Sequence, residues 1–440
     1  MMQKREPAKD MRTSLRGIAN RARKDREHRF RHLYTLLNEA NLKWCFYQLR
    51  RGAAPGIDRI TFADYEADLD ANLQSLVKRL KEKRYHAKLV RRKYIPKGKD
   101  KFRPLGIPVL EDKLLQMAVA RVLEAIFDAD FLECSWGYRT GRGPQEASKE
   151  LAFRLRYGRY GWVVEADIRD FFGNISHPWM ERMLEERIND GAFLQLIKKW
   201  LKAGVMEEDG RVMHPATGTP QGGIVSPVLS NIYLHYVLDL WFEKVVKPQS
   251  KGETLVMRFA DDFVCAFRHK SDAEQFYKLL SQRLGKFGLE ISGEKTRILP
   301  FSRFKLEPNE AFEFLGFEFR WVKGRNGQPH VQRRTSPKKL RASVAIFTEW
   351  VKTNRHVRIS TLMEKLRSKM RGYYNYYGVR GNCASLVKFT HEANRILFKW
   401  LNRRSNRRSY MWEGFNELLR QYRIPTPRIT EGRQMVMRYS

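Results

Sequence analysis

Arg258-Phe259-Ala260-Asp261-Asp262 decides the reading of this chain. Leu255-Val256-Met257 precedes the stretch and Phe263-Val264-Cys265-Ala266-Phe267 follows it. Both flanks are short and rich in strand-forming residues, which predicts a hairpin with Asp261 and Asp262 at its tip. Adjacent acids at a tip also suit a plain solvated turn, because Asp tolerates turn backbones. A third acid weighs toward chemistry: Asp167 follows another apolar run, Trp162-Val163-Val164-Glu165-Ala166. Three carboxylates at two strand ends offer hard oxygen donors for two Mg²⁺ ions, the apparatus of metal-assisted phosphoryl transfer.

Composition fits a polyanion partner. The 440 residues allow two or three domains, and 42% hydrophobic content supports real cores. Lys and Arg number 84 against 49 Asp and Glu, a net charge of +35. Each phosphate that such a surface neutralises releases condensed counterions. The charge is uneven: residues 331–440 hold 25 Lys and Arg against 6 acids, a net +19, and read as a separate nucleic-acid-facing module. No apolar run of roughly 18 residues and no signal-peptide core occurs, which argues against a spanning or secreted protein. Cys45, Cys134, Cys265 and Cys383 lie far apart without a C-x-x-C pair, so they read as buried thiols in a reducing compartment.

Around the acids, the first fifty residues read as a basic helical arm, ended by the turn Ala54-Pro55-Gly56-Ile57-Asp58. A strand over residues 89–95 leads to a Lys-rich tip, Pro96-Lys97-Gly98-Lys99-Asp100. Leu114, Leu115, Ala118, Val122 and Ile126 share one side of a helix over residues 111–127. Pro178 opens a further helix, and Ser226-Pro227 reads as an N-cap followed by Pro in the first turn. Phe314-Leu315-Gly316-Phe317-Glu318-Phe319 alternates like one half-buried strand, and helices follow Pro337. The expected class is α+β with an all-helical C-terminal module.

The ordered set of motifs is more specific than any member. Asp167-Ile168-Arg169-Asp170-Phe171-Phe172 follows a strand, and Thr219-Pro220-Gln221-Gly222-Gly223 feeds a helix. The Phe259-Ala260-Asp261-Asp262 hairpin comes next, then Gly288-Leu289-Glu290-Ile291-Ser292-Gly293-Glu294-Lys295-Thr296. Together with Ile95-Pro96-Lys97, Arg103-Pro104-Leu105-Gly106, Arg371-Gly372-Tyr373-Tyr374-Asn375-Tyr376-Tyr377 and Lys399-Trp400-Leu401-Asn402-Arg403-Arg404, this order resembles the reverse transcriptases encoded by bacterial group II introns. The resemblance implies a right-hand polymerase: a basic N-terminal extension over residues 1–53, fingers over 54–160, palm with fingers elements over 161–330, and a helical thumb with maturase character over 331–440.

By that resemblance, Asp167, Asp261 and Asp262 are the catalytic acids, and with Ile168 they form the metal set for two Mg²⁺, with Mn²⁺ able to substitute. Lys97, Arg103, Arg169, Asp170, Phe171, Phe172, Gln221 and Lys295 are the expected nucleotide-binding residues. Phe172 stands where a bulky side chain faces the sugar and would exclude a 2′-hydroxyl by volume; an ordinary core Phe is the competing reading. Arg371, Tyr373, Tyr377, Arg403, Arg404, Arg407 and Arg408 are expected at nucleic acid, where tyrosines stack bases and guanidinium groups meet phosphates. Some of these tyrosines share helical spacing with Leu362, Leu366 and Met370 and belong to a core. The expected partners are structured, intron-like RNA, an RNA or DNA template with primer, and dNTPs. No membrane is expected; the protein would be a monomer or homodimer in the bacterial cytoplasm, at the nucleoid or in a ribonucleoprotein. Two departures from the family pattern lie near the acids: Phe259 stands where Tyr is usual, and Gly173 where Asp is usual. No His/Cys cluster suits an appended H-N-H endonuclease.

Overall fold

Strands mixed with helices run from Val90 to Thr335 and helices alone follow, which is the expected α+β class. The computed structural model describes residues 9–98, 101–219, 222–293, 296–304, 310–324, 326–404 and 409–432. The chain divides into two compact units, residues 1–140, 166–249 and 275–296 in one, and residues 141–165, 250–274 and 297–440 in the other.

The first unit is organised by the helix Leu110–Phe127, in which Leu114, Leu115, Ala118, Val119, Val122, Leu123 and Ile126 are fully buried. A helix apolar on most sides must be covered all round. Helices Lys9–Lys24, Glu39–Phe46 and Ser226–Leu234 pack against it. Strands Lys101–Ile107, Val90–Gly98, Val205–Met206 and Val212–Met213 form a sheet in that order, with the long first pair antiparallel. The N-cap of Ser226–Leu234 is Val225, not Ser226 as expected, and Pro227 does lie in the first turn. Ser226 is itself the first helical residue, and its hydroxyl is 2.8 Å from the Thr219 hydroxyl.

The second unit holds the antiparallel hairpin Thr254–Phe259/Asp262–Phe267 and a sheet of Ala311–Phe314, Phe317–Lys323 and Pro329–Thr335. Residues 314–319 are therefore not one strand. Phe314 pairs with Phe317 across a two-residue turn in which Leu315 and Gly316 have φ of 53° and 77°. Two positive φ values mark the hairpin turn that matches strand twist, and Gly316 accepts its share without strain. Helices Pro337–Asn354, Ile359–Tyr377, Cys383–Leu401 and Trp412–Gln421 follow and share a core that includes Val351, Leu362, Leu366, Met370, Tyr374 and Leu386. A buried ion pair, Arg333 to Glu431, and the Asn382 amide bonded to Thr335 fasten these helices to the sheet. The cysteines correct one expectation: Cys45 and Cys265 are buried, but Cys383 is exposed.

One strand, Trp162–Arg169, opens in the second unit and ends in the first. The strand order of its sheet is Thr254–Phe259, Asp262–Phe267, Trp162–Arg169 and Glu290–Ile291, and Arg297–Pro300 also pairs with Trp162–Arg169.

Candidate active site

The acidic hairpin takes its shape from its backbone. Phe259 pairs with Asp262, so the expected hairpin forms, but its turn is Ala260-Asp261, and Asp262, expected at the tip, opens the second strand. Ala260 has φ of 57° and is 5% exposed. A buried non-glycine residue in that left-handed region is strained, and something must hold it. Arg258 does so. Its side chain is fully buried, and Nη1 donates to the Ala260 carbonyl at 3.0 Å. The sequence offered one signal for this residue: a lone cation inside an apolar run. Asp261, in the turn, and Asp262, just after it, are half-buried.

Also in the second unit, Tyr376 reports on the hairpin. Burial first, and the Asp262 carboxylate second, push its hydroxyl above the ordinary tyrosine value. That hydroxyl donates to the Leu315 carbonyl at 3.0 Å, and the ring is parallel to Phe317 with centroids 5.9 Å apart. Tyr376 thus links the helix Ile359–Tyr377, the Leu315-Gly316 turn and the field of Asp262. It was absent from the expected set. Tyr373 and Tyr377 were in that set, but Tyr373 stacks on Phe389 at 3.7 Å and Tyr377 packs edge-on against Phe317, so both rings serve the core. Arg371 is exposed, and Arg403 is exposed with its guanidinium 5.5 Å from the Trp400 ring. Arg404 is half-buried, and Arg407 and Arg408 lie outside the described residues.

In the strand Trp162–Arg169, Val164, Ala166 and Ile168 are buried on one face while Glu165 and Asp167 are half-buried on the other. Burial raises the Glu165 carboxyl, and an Arg297 hydrogen bond of 2.8 Å opposes the shift. The Asp167 carbonyl accepts from the Ser292 N–H at 2.8 Å, which ties the strand to the segment following Glu290–Ile291. Asp167 lies in the first unit, and Asp261 and Asp262 lie in the second. Among the described residues, no group of three or more His, Cys, Asp or Glu side chains is arranged to hold a metal ion. The donor chemistry at these positions still fits a hard divalent cation: all three side chains are carboxylates, and none is fully buried. Ile168, expected with the metal set, has a buried side chain paired across the ladder to Ile291.

After that strand the chain turns sharply at Asp170, whose φ is 39°. Arg169, expected among the nucleotide-binding residues, is exposed and forms an ion pair with Glu290 at 3.4 Å. Phe171, also expected at nucleotide, is 1% exposed and packs edge-on to Phe172 and Tyr233; its side chain is core. Phe172 remains half-buried. A Cβ on Gly173 would collide with the Asp170 carboxylate, so the Asp missing at 173 has an acid folded over its place. Gly222 backs onto the strand Lys101–Ile107: its φ is 115°, and a Cβ there would stand 2.5 Å from the Gly106 carbonyl. Only glycine fits that approach. Ile224 N–H, just beyond, donates to Gln116 of the central helix at 2.9 Å. Arg103 is exposed on Lys101–Ile107; Lys97 lies on Val90–Gly98 with its side chain outside the described set. Gln221 and Lys295 lie outside the described residues.

Comparison with known proteins identifies the family. The model of the family "Reverse transcriptase (RNA-dependent DNA polymerase)" matches residues 95–319, about half of the chain. Protein YkfC of Escherichia coli (strain K12) is 31% identical over 324 residues, covering 67% of this chain and 83% of that protein. The group II intron-encoded protein LtrA of Lactococcus lactis subsp. cremoris is 28% identical over 463 residues, covering 86% of this chain and 75% of that protein. A putative COX1/OXI3 intron 1 protein of Saccharomyces cerevisiae is 34% identical over 273 residues, covering 51% of this chain and 32% of that protein. No helix among the described residues is long and apolar enough to cross a membrane. The matched block includes Asp167, the glycine loop, the acidic hairpin and the Leu315-Gly316 turn, and the chain belongs to the reverse transcriptases, the RNA-dependent DNA polymerases, of the group II intron-encoded kind.

Proposed function

We propose that this enzyme extends a primer 3′-hydroxyl by two-metal nucleotidyl transfer, with Asp167, Asp261 and Asp262 supplying the carboxylate ligands and Mg²⁺ as the working ion. When bound, the cations lower the barrier by activating the hydroxyl and neutralising the leaving pyrophosphate. The chain's own residues do the rest. Arg258 holds the hairpin so that its paired acids cannot drift. Lys97 and Arg103 neutralise the triphosphate, with Lys295 assisting at phosphate or beside the acids. Gln221 packs beside the nascent base pair, and Phe172 excludes a ribose hydroxyl. Arg371, Arg403, Arg404, Arg407 and Arg408 grip the template–primer and structured RNA.

The strained hairpin carries this reading. A buried Arg spent on a left-handed Ala directly before two acids is an expensive way to build a loop, and such strain collects at functional sites. Asp261→Ala tests it: primer extension should be lost while RNA affinity stays near the wild-type value. Full extension by that variant would remove the metal assignment.

A second activity, assistance to intron splicing, is favoured by one observation. The likeness to LtrA covers 86% of this chain, well beyond the polymerase block, and the mostly helical residues 331–440 carry a net +19. The Asp261→Ala protein should still rescue splicing of its cognate RNA, because that role needs the surface and not the acids. Loss of both activities in a folded variant would contradict a separate splicing role.

A further inference from the structure

We propose that His177 and Gly218 are positioning residues that set sugar discrimination by fixing the backbone on which Phe172 stands; the proposal rests on the reading of Phe172 as the sugar gate. Four hydrogen bonds within the first unit lace residues 172–177 to residues 217–219. Thr219 N–H donates to the Phe172 carbonyl at 2.8 Å, and Gly218 N–H donates to the Ile175 carbonyl at 2.7 Å. The Thr217 hydroxyl donates to the Gly173 carbonyl at 3.0 Å. His177 Nε2 completes the set at 2.7 Å from the Gly218 carbonyl. A carbonyl can only accept, so the imidazole carries a proton on Nε2. His177 is 8% exposed and opens the helix His177–Glu185, so its ring is anchored by that helix and not by solvent.

Gly218 makes the lacing close. Its φ is 90°, and a Cβ there would lie 2.7 Å from the Gly173 carbonyl oxygen and 2.8 Å from that of Phe172. Both obstacles are backbone atoms. They cannot swing aside as a side chain can, so any residue other than glycine must push the segment that carries Phe172. The Phe172 ring makes none of these bonds; its carbonyl is what is held. A gate that works by volume is sensitive to small shifts of its base, whereas joining a deoxynucleotide tolerates them. Weakening the lace should therefore lower selectivity before it lowers incorporation.

The experiment compares kcat/KM for a dNTP with that for the matching rNTP in single-nucleotide extension. The full-length enzyme is used as wild type, Phe172→Ala, His177→Leu, His177→Gln, Thr217→Val, Gly218→Ala and the His177→Leu/Phe172→Ala double variant. Phe172→Ala should lower the dNTP preference. His177→Leu and Gly218→Ala should each lower it by about fivefold to tenfold, the scale of one buried hydrogen bond, with dNTP kcat little changed. His177→Gln, which keeps a donor, should retain most of the preference. Thr217→Val changes an exposed side chain, is safe for folding, and should lower the preference about twofold. In the Phe172→Ala background, His177→Leu should add nothing. The inference is overturned if Phe172→Ala lowers the preference while His177→Leu, Gly218→Ala and Thr217→Val leave it unchanged, or if the Phe172 and His177 effects multiply. A wild-type preference in Phe172→Ala would instead remove the gate reading, and this proposal with it.

Discussion

Arg258→Met isolates what the buried guanidinium does for the acidic hairpin. Methionine fills much of the volume but cannot donate to the Ala260 carbonyl, which Arg258 reaches at 3.0 Å. Ala260 is only 5% exposed, so water has little access to the carbonyl's place, and a buried acceptor left unpaired costs about 1–3 kcal/mol. The left-handed backbone at φ 57° already costs about 1–2 kcal/mol for a residue with a Cβ. With its holding bond gone, the turn relaxes to shed that strain and carries Asp261 and Asp262 with it. A shift of about 1 Å at reacting groups costs about 10²-fold in rate. Urea unfolding should show a loss of about 2 kcal/mol, and single-turnover extension should slow about 10²-fold, with primer–template affinity unchanged. Arg258→Lys should fall between, and Ala260→Gly placed on Arg258→Met should recover up to about 1 kcal/mol by removing the Cβ from the left-handed region. An Arg258→Met enzyme of wild-type stability and wild-type rate would refute the argument that this side chain holds the acids.

Other consequences follow from particular contacts. Burial pushes the Asp112 carboxyl up from 3.8 to about 6, against hydrogen bonds from Tyr85 and the Lys88 N–H that favour its charge. Because the folded value is the higher one, its stabilising contribution is full below the unfolded value and is lost as pH rises through about 6. Asp112→Asn should remove about 3 kcal/mol of pH dependence between about pH 4 and 7 in unfolding titrations; parallel curves for the two proteins would contradict this. Glu431→Gln leaves Arg333 buried beside a neutral amide, where the pair's side chains are 7% and 6% exposed, and should cost about 3–5 kcal/mol in denaturant unfolding; a loss under about 1 kcal/mol would contradict a buried pair. Gly222→Ala forces a methyl to within 2.5 Å of the Gly106 carbonyl and should raise the dNTP KM with a stability loss of about 1–3 kcal/mol, whereas an unaltered KM would free the loop of that constraint.

The legible parts of this fold are those that side-chain pattern dictates. Runs such as Leu255-Val256-Met257 and Phe263-Val264-Cys265 announce strands, and Leu114, Leu115 and Ala118 at helical spacing announce the central helix. What stayed hidden was carried by main-chain groups, which every residue shares. Half of the lace between residues 172–177 and 217–219 is main chain to main chain, so only Thr217, Gly218 and His177 leave a trace in the letters. The Leu315-Gly316 turn hid behind alternating Phe because Leu seldom accepts a positive φ; the Tyr376 hydroxyl and the Ser336 N–H bond its two carbonyls and hold it. Phe171, Tyr373 and Tyr377 were assigned to ligands by motif, yet aromatic rings that can stack on bases pack equally well against Tyr233, Phe389 and Phe317. Motif membership identified the segment, and packing decided which face of it was free.

Iron-directed cleavage addresses the role of the acids most directly. Fe²⁺ replaces Mg²⁺ in the purified enzyme with primer–template bound, ascorbate and peroxide generate radicals at the ion, and the broken chain is mapped. The account predicts cuts at both residues 166–169 and residues 259–263, each suppressed by excess Mg²⁺ and each absent from Asp261→Ala. Cuts confined to one of these segments, or cuts indifferent to the loss of Asp261, would contradict a shared cation site.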